Sequence, residues 1–128
     1  MNKLIIDVAN EKIFLMVITN LSIYNITHEN TKNNYEKLTI IIDDFLLSKN
    51  LKIADIGVIY INIGLGSFAG IRNSMSVVKA FNIAKNIDYY CYNLDDFKDE
   101  KDLSCKNIPD LCKKYKIKKN LVNPIYLS

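Results

Sequence analysis

The sequence predicts one α/β domain, built as a mixed β-sheet with helices packed on it. Apolar, β-branched runs alternate with two segments of helical periodicity, in the order β-β-β-α-β-α-β. Of the 128 residues, 49% are hydrophobic, so the chain can bury one sizeable core.

Five strands are expected, at residues 3–8, 12–19, 21–27, 57–63 and 87–92. Polar breaks at Asn10-Glu11 and at Asn20 separate the first three runs and suit tight turns, which predicts an antiparallel meander. Each of the last two strands follows a helical segment, and crossovers of this kind join parallel neighbours. The sheet is therefore expected to be mixed.

The first helical segment, residues 35–50, has an apolar stripe that should cover the sheet. Its members are Tyr35, Leu38, Ile41, Ile42, Phe45 and Leu46. Ile40 and Leu47 fall on the opposite side. Single exposed apolar residues are common on protein surfaces, and the alternative interpretation is a second contact face.

The second helical segment, residues 72–86, repeats this arrangement. Its expected core stripe is Val77, Val78, Ala80, Phe81 and Ala84. Met75 and Ile83, with Lys79 between them, are expected on the outward side. Both helices are thus predicted to carry an apolar patch directed away from the sheet.

A glycine-rich segment, Gly64-Leu65-Gly66-Ser67-Phe68-Ala69-Gly70-Ile71-Arg72, joins the fourth strand to this helix and holds three of the four glycines. Arg72 is the only arginine of the chain. The Walker lysine is absent, and Gly70 lies one residue too late for the Rossmann spacing, so a structural turn is favoured over a phosphate loop. Ser67 lacks a partner base for nucleophilic catalysis.

Composition argues against several classes of site. Three cysteines without a Cys-x-x-Cys pair and a single histidine, His28, predict neither a disulfide framework nor a metal-binding pair, and no cofactor is expected. Asp7 is one carboxylate at a strand end, whereas a two-metal nuclease needs several, so we interpret it as a hydrogen-bonding or solvent-exposed residue. With no signal peptide or membrane span in the sequence, we expect a cytoplasmic protein.

The composition changes from Leu94 onward, to mixed charge and then to a basic run at 113–119. We divide the chain into a main lobe, residues 1–97, and a short C-terminal extension, residues 98–128. The extension is expected to hold one helix near 109–115 and an extended end, 121–127, that docks on the main lobe. The basic run could contact RNA phosphates, but a solvated face of a terminal segment is favoured, because the whole chain is rich in lysine. The net charge of +3 does not by itself predict a nucleic-acid binder.

The glycine segment resembles the signature Gly-Pro-Gly-Ser-Phe-Thr-Gly-Leu-Arg of the TsaB (YeaZ) family of tRNA threonylcarbamoyladenosine biosynthesis proteins, with six of nine positions identical. Residues 78–84 are similar to the Ala-Lys-Gly-Leu-Ala pattern that follows it in the family. Residues 4–9 resemble the family's opening strand, and 124–127 its closing Pro-x-Tyr-Leu. Family members normally carry a second lobe, which residues 98–128 replace here.

The resemblance implies an ASKHA (actin-like, RNase H-like) lobe without catalytic activity. TsaB proteins bind the enzyme TsaD through helices of this lobe, and the ATPase TsaE joins the assembly that transfers a threonylcarbamoyl group to the tRNA adenosine beside the anticodon. The chain would then be a scaffold for a TsaD-like enzyme, would contact tRNA only indirectly, and could form a homodimer when alone.

On this basis we assign two groups of residues. The expected partner-binding residues are Ile40, Leu47, Met75, Lys79 and Ile83. The expected structural turn comprises Gly64, Gly66, Ser67, Phe68, Gly70 and Arg72. The alternative function is a stand-alone anion- or nucleotide-binding domain that uses the turn at residues 64–72.

Overall fold

A computed structural model describes residues 1–64, 66 and 68–121. The strands are β1 (Asn2–Asp7), β2 (Lys12–Ile18), β3 (Ile23–Glu29), β4 (Ile56–Asn62) and β5 (Asp88–Tyr92). The α-helices are α1 (Lys32–Tyr35), α2 (Leu38–Leu47), α3 (Phe68–Lys85) and α4 (Ile108–Lys114). Short 3₁₀ helices span Ile53–Asp55, Leu94–Phe97 and Cys105–Asn107.

The five strands form one mixed sheet in the order β3-β2-β1-β4-β5. β1, β2 and β3 pair antiparallel as a meander, while β4 and β5 are parallel to β1 and to each other. The predicted element order and mixed sheet are confirmed. Because β1, β4 and β5 are parallel, their carboxyl ends meet at one edge of the sheet, beside the glycine segment.

Three expected elements have other bounds in the structure. The third strand begins at Ile23, because the Thr19 hydroxyl accepts hydrogen bonds from the amides of Leu21 and Ser22 and holds them in a turn. The helix expected at 35–50 spans only Leu38–Leu47, since the Lys37 amide bonds to the Asn34 carbonyl three residues back and separates α2 from α1. The helix expected at 72–86 begins at Phe68, so Phe68, Gly70 and Arg72 of the expected turn belong to α3.

Helices α2 and α3 cover one face of the sheet and form the larger core. The expected stripe on α2 is confirmed, with Leu38, Ile42, Phe45 and Leu46 buried. The stripe on α3 is rotated relative to the expectation and consists of Gly70, Ile71, Ser74, Met75 and Val78. Ala80 and Ala84, which were expected in the core, are exposed.

The chain after β5 covers the opposite face of the sheet. Phe97, Ile108, Leu111 and Cys112 are buried against side chains of that face: Ile5, Met16, Val58, Tyr60 and Tyr92. The expected helix near 109–115 is confirmed as α4. The C-terminal segment therefore supplies the second apolar layer that a sheet with two buried faces requires.

Three hydrogen bonds of Asn120 attach the end of this segment to β5. The Asn120 amide donates to the Tyr89 carbonyl at 2.7 Å, and its side-chain oxygen accepts from the Tyr89 amide at 2.9 Å. Its side-chain nitrogen donates to the Asp88 carboxylate at 2.9 Å. The expected extended end is outside the described residues from 122 onward.

Candidate functional site

The carboxyl ends of β1 and β4 are joined by a buried polar network. Asp7 is 9% exposed, and its carboxylate accepts hydrogen bonds from the Ala9 amide at 3.0 Å and the Asn62 side chain at 3.1 Å. The Asn62 side-chain oxygen accepts from the Gly64 amide at 2.8 Å. Asp7 therefore fixes the start of the glycine segment through Asn62, in agreement with its expected hydrogen-bonding role.

The glycine segment passes very close to the turn after β1. A Cβ atom built on Gly66 would lie 1.9 Å from the Ala9 carbonyl oxygen, which is well inside van der Waals contact. A Cβ atom on Gly64 would lie 3.0 Å from the Asn93 side-chain oxygen. Gly66 therefore permits a close backbone approach that a residue with a Cβ atom would allow only if the turn after β1 moved. Ser67 lies outside the described residues.

A small pocket of about 180 Å³ lies beside the turn and is polar. It is lined by Asn10, Asn62, Gly64, Asn93, Leu94 and Asp95. Of these six lining residues, only Asp95 has a charged side chain, and it is acidic. A lining with an acidic and no basic side chain disfavours an anion.

Arg72 lies on α3, where it contacts the start of its own helix. Its guanidinium carbon is 5.4 Å from the centre of the Phe68 ring, a cation–π contact between residues four apart. Arg72, Phe68, Ala69, Asn73 and Ser76 line a separate open depression of about 380 Å³. Among the described residues, Arg72 does not line the pocket beside Gly64, so the two features do not form one site.

The outward surfaces of α2 and α3 carry exposed apolar side chains. On α2, Ile40 and Leu47 are 58% and 57% exposed, opposite the buried stripe of that helix. On α3, Ile83 is 85% exposed, and Lys79 is partly buried on the flank of the helix. We call Ile40, Leu47 and Ile83 the outer helix face. Their binding to a partner stays a prediction.

Met75 does not belong to the outer helix face, and its expected position there was wrong. It is 6% exposed, and its sulfur lies 3.7 Å from the Cys91 sulfur of β5. Met75 lies four residues after Ile71 and three before Val78, and all three are buried. Helical spacing therefore places Met75 on the buried stripe.

The cysteines lack the environment of reactive thiols. Burial raises the pKa of the Cys91 and Cys112 thiols to about 12, and that of the Cys105 thiol to about 11. All three are therefore protonated at neutral pH, and the expected core position of Cys91 is confirmed at 7% exposure. Within residues 1–64, 66 and 68–121, no three His, Cys, Asp or Glu side chains are grouped so that they could hold a metal ion.

Comparison by sequence finds no relative: no protein-family model matches the chain, and no curated protein matches it significantly. Comparison by structure finds proteins with a similar fold. YeaZ from Pseudomonas aeruginosa aligns with a TM-score of 0.66 and 16% identity, over 72% of this chain and 43% of its own. A P. aeruginosa protein described as similar to peptidase YeaZ gives the same values.

The chain has the fold of the part of YeaZ that it covers. This structural likeness supports the resemblance to the TsaB (YeaZ) family, and the chain spans less than half the length of these YeaZ structures. RuvC from Thermus thermophilus, solved in complex with a Holliday junction substrate, has a TM-score of 0.54 and 8% identity, over 96% of this chain and 84% of its own. The predicted ASKHA, RNase H-like α/β class is thus confirmed.

Sequence reasoning missed the exposure of Phe68, which is 52% accessible at the start of α3. Its pairing with Arg72 four residues later could have been predicted from helical spacing.

Among the described helices, none is long and apolar enough to cross a membrane.

Proposed function

We propose that this chain is a non-catalytic scaffold subunit that binds a TsaD-like enzyme and supports formation of N6-threonylcarbamoyladenosine beside the tRNA anticodon. The observation that carries the proposal is the outer helix face on a lobe with the YeaZ fold. In this proposal a TsaE-like ATPase joins the pair, and tRNA contacts this chain only indirectly.

The outer helix face has the chemistry of a small protein interface. Three large aliphatic side chains point away from the sheet on two helices that share one core. Burying a fully exposed aliphatic side chain contributes about 1.5–3 kcal/mol before the costs of association, and Ile40 and Leu47, already partly buried, would each contribute less. In this proposal the partner presents apolar helices to these three side chains.

The polar network supports a scaffold rather than a catalyst. Asp7 is held by the Ala9 amide and Asn62, and it fixes the glycine segment. Buried carboxylates with their acceptor sites occupied by protein donors serve structure, because a general base needs access to the proton that it removes. The part of YeaZ that this chain covers is the lobe on which the outer helix face lies.

The proposal is tested by co-purification with the TsaD-like protein of the same organism. Leu47→Asp combined with Ile83→Asp places two charges on the outer helix face and is expected to abolish the complex. Leu103→Asp, on the C-terminal segment, is the matched control and should leave it intact. A folded double variant that still co-purifies in full yield would show that this face is not the interface.

The alternative, a stand-alone anion- or nucleotide-binding domain, has less support. Its two elements, the turn at Gly64 and Arg72, line different depressions, and the pocket beside the turn is acidic. A thermal shift of the isolated chain with ATP distinguishes the two functions. A rise in melting temperature that is lost in Arg72→Ala would favour the alternative, while loss of the tRNA modification on deletion of the gene would favour the scaffold.

A further inference from the structure

The charged side chains of α2 and α3 are divided by sign. Helix α2 has two acidic residues, Asp43 and Asp44, and no basic one. Helix α3 has three basic residues, Arg72, Lys79 and Lys85, and no acidic one. The two helices contact each other on the same face of the sheet. The surface that holds the outer helix face is therefore negative along one helix and positive along the other.

The two carboxylates of α2 lie among the apolar residues of the outer helix face. Asp43 and Asp44 are exposed, three and four residues after Ile40 and within four residues of Leu47. Residues at these spacings share one side of a helix. Asp44 also lies in the last turn of α2, where a negative charge opposes the helix dipole. The stability of the helix therefore does not account for this carboxylate.

Arg72 lies on the same side of α3 as Ile83. Arg72, Ser76 and Ile83 are all exposed, and they are spaced four and then seven residues apart, as residues of one helix side are. With a rise of 1.5 Å per residue, Arg72 and Ile83 are about 16 Å apart along the axis. A helix laid along the outer side of α3 would thus contact both of them.

Arg72 is arranged to receive a carboxylate. Its guanidinium is stacked on the Phe68 ring and borders the open depression that Ala69, Asn73 and Ser76 also line. Within residues 1–64, 66 and 68–121, no acidic side chain forms an ion pair with Arg72. A guanidinium held against a ring keeps its N–H edge for two parallel hydrogen bonds and loses little freedom when it forms them.

We propose that the TsaD-like partner places an acidic side chain against Arg72 and a basic side chain against Asp43 and Asp44. This inference rests on the proposed function and names the chemistry of the partner's surface. The apolar residues supply affinity, whereas the charges decide which partner helix lies against α2 and which against α3. The reversed arrangement brings like charges together and is disfavoured. Arg72 is thus a specificity-determining residue of this contact.

The test is the dissociation constant between the full chain and the TsaD-like protein of the same organism, measured by calorimetry. Arg72→Glu and Asp44→Lys are each expected to weaken binding about tenfold, since each replaces an attraction by a repulsion. Arg72→Lys keeps the charge without the planar fork and should weaken binding less. Lys113→Glu makes the same change in net charge on α4, on the opposite face of the sheet, and should bind as the wild type does.

The double variant Arg72→Glu with Asp44→Lys separates local complementarity from overall charge. Its net charge equals that of the wild type, so binding governed by overall charge would recover. The proposal instead expects a loss of about a hundredfold, because effects at separate contacts add. Recovery to wild-type affinity overturns the proposal.

The remaining outcomes distinguish this inference from the proposed function. If all the charge variants bind as the wild type does while Leu47→Asp with Ile83→Asp abolishes the complex, the charge assignment is wrong and the proposed function stands. A wild type that does not bind the TsaD-like protein overturns both. If the charge variants alter only the self-association of the chain, measured by sedimentation, a second copy occupies this surface and the proposal is wrong.

Discussion

Replacing Phe97 by alanine is expected to remove about 4 kcal/mol from the free energy of unfolding. Phe97 has no exposed surface, and its ring centre lies 6.2 Å from that of Tyr92 and 5.4 Å from that of Tyr115. Truncating a buried phenylalanine costs about 3–5 kcal/mol. Complete burial between two aromatic rings places Phe97 in the upper part of that range, because the ring contacts are lost together with the buried area.

Urea denaturation followed by far-ultraviolet circular dichroism measures this loss. With a urea m-value of about 1–3 kcal/mol/M, the midpoint should fall by roughly 2 M. Leu103→Ala is the control in the same segment, since Leu103 is 36% exposed and its truncation should cost about 0.5 kcal/mol or less. If both variants unfold at the same urea midpoint, the C-terminal segment does not pack on the second face of the sheet.

Three further outcomes are expected. Gly66→Ala should unfold the chain or lower its melting temperature severely, because its Cβ would meet the Ala9 carbonyl, whereas Gly57→Ala meets only the flexible Met1 side chain and should be mild; equal melting temperatures would contradict this. The hydrogen bond from Asn120 lowers the pKa of Asp88 below its ordinary 3.8, so this contribution to stability is present above pH 3.8 and is lost as the pH falls through the folded-state pKa. In an NMR titration the Asp88 midpoint should rise toward 3.8 in Asn120→Ala, and an unchanged midpoint would refute the assignment. Burial raises the pKa of the Cys112 thiol to about 12, so thiol reagents at neutral pH should label Cys112 much faster in urea than in the native chain, and equal rates would argue against its burial.

The sequence predicted the outer helix face only in part, for a reason that lies in the packing of α3. Periodicity places Ile40, Leu47 and Ile83 opposite an apolar stripe, and the structure finds them exposed. Periodicity alone does not determine which side of a helix is buried when the helix is apolar on more than one side. In the structure the buried side of α3 carries Gly70 and Ser74 together with Ile71, Met75 and Val78.

The strand order in the chain, the position of the glycine segment and the stripe of α2 followed from the sequence alone, because these features depend on local periodicity and turn chemistry. Tertiary structure decided the rest. It brought Gly66 against Ala9 and placed the C-terminal segment on the second face of the sheet. It also placed β3 at an edge of the sheet. Contacts between residues distant in the chain depend on which elements pack against each other, and local sequence patterns do not specify that packing.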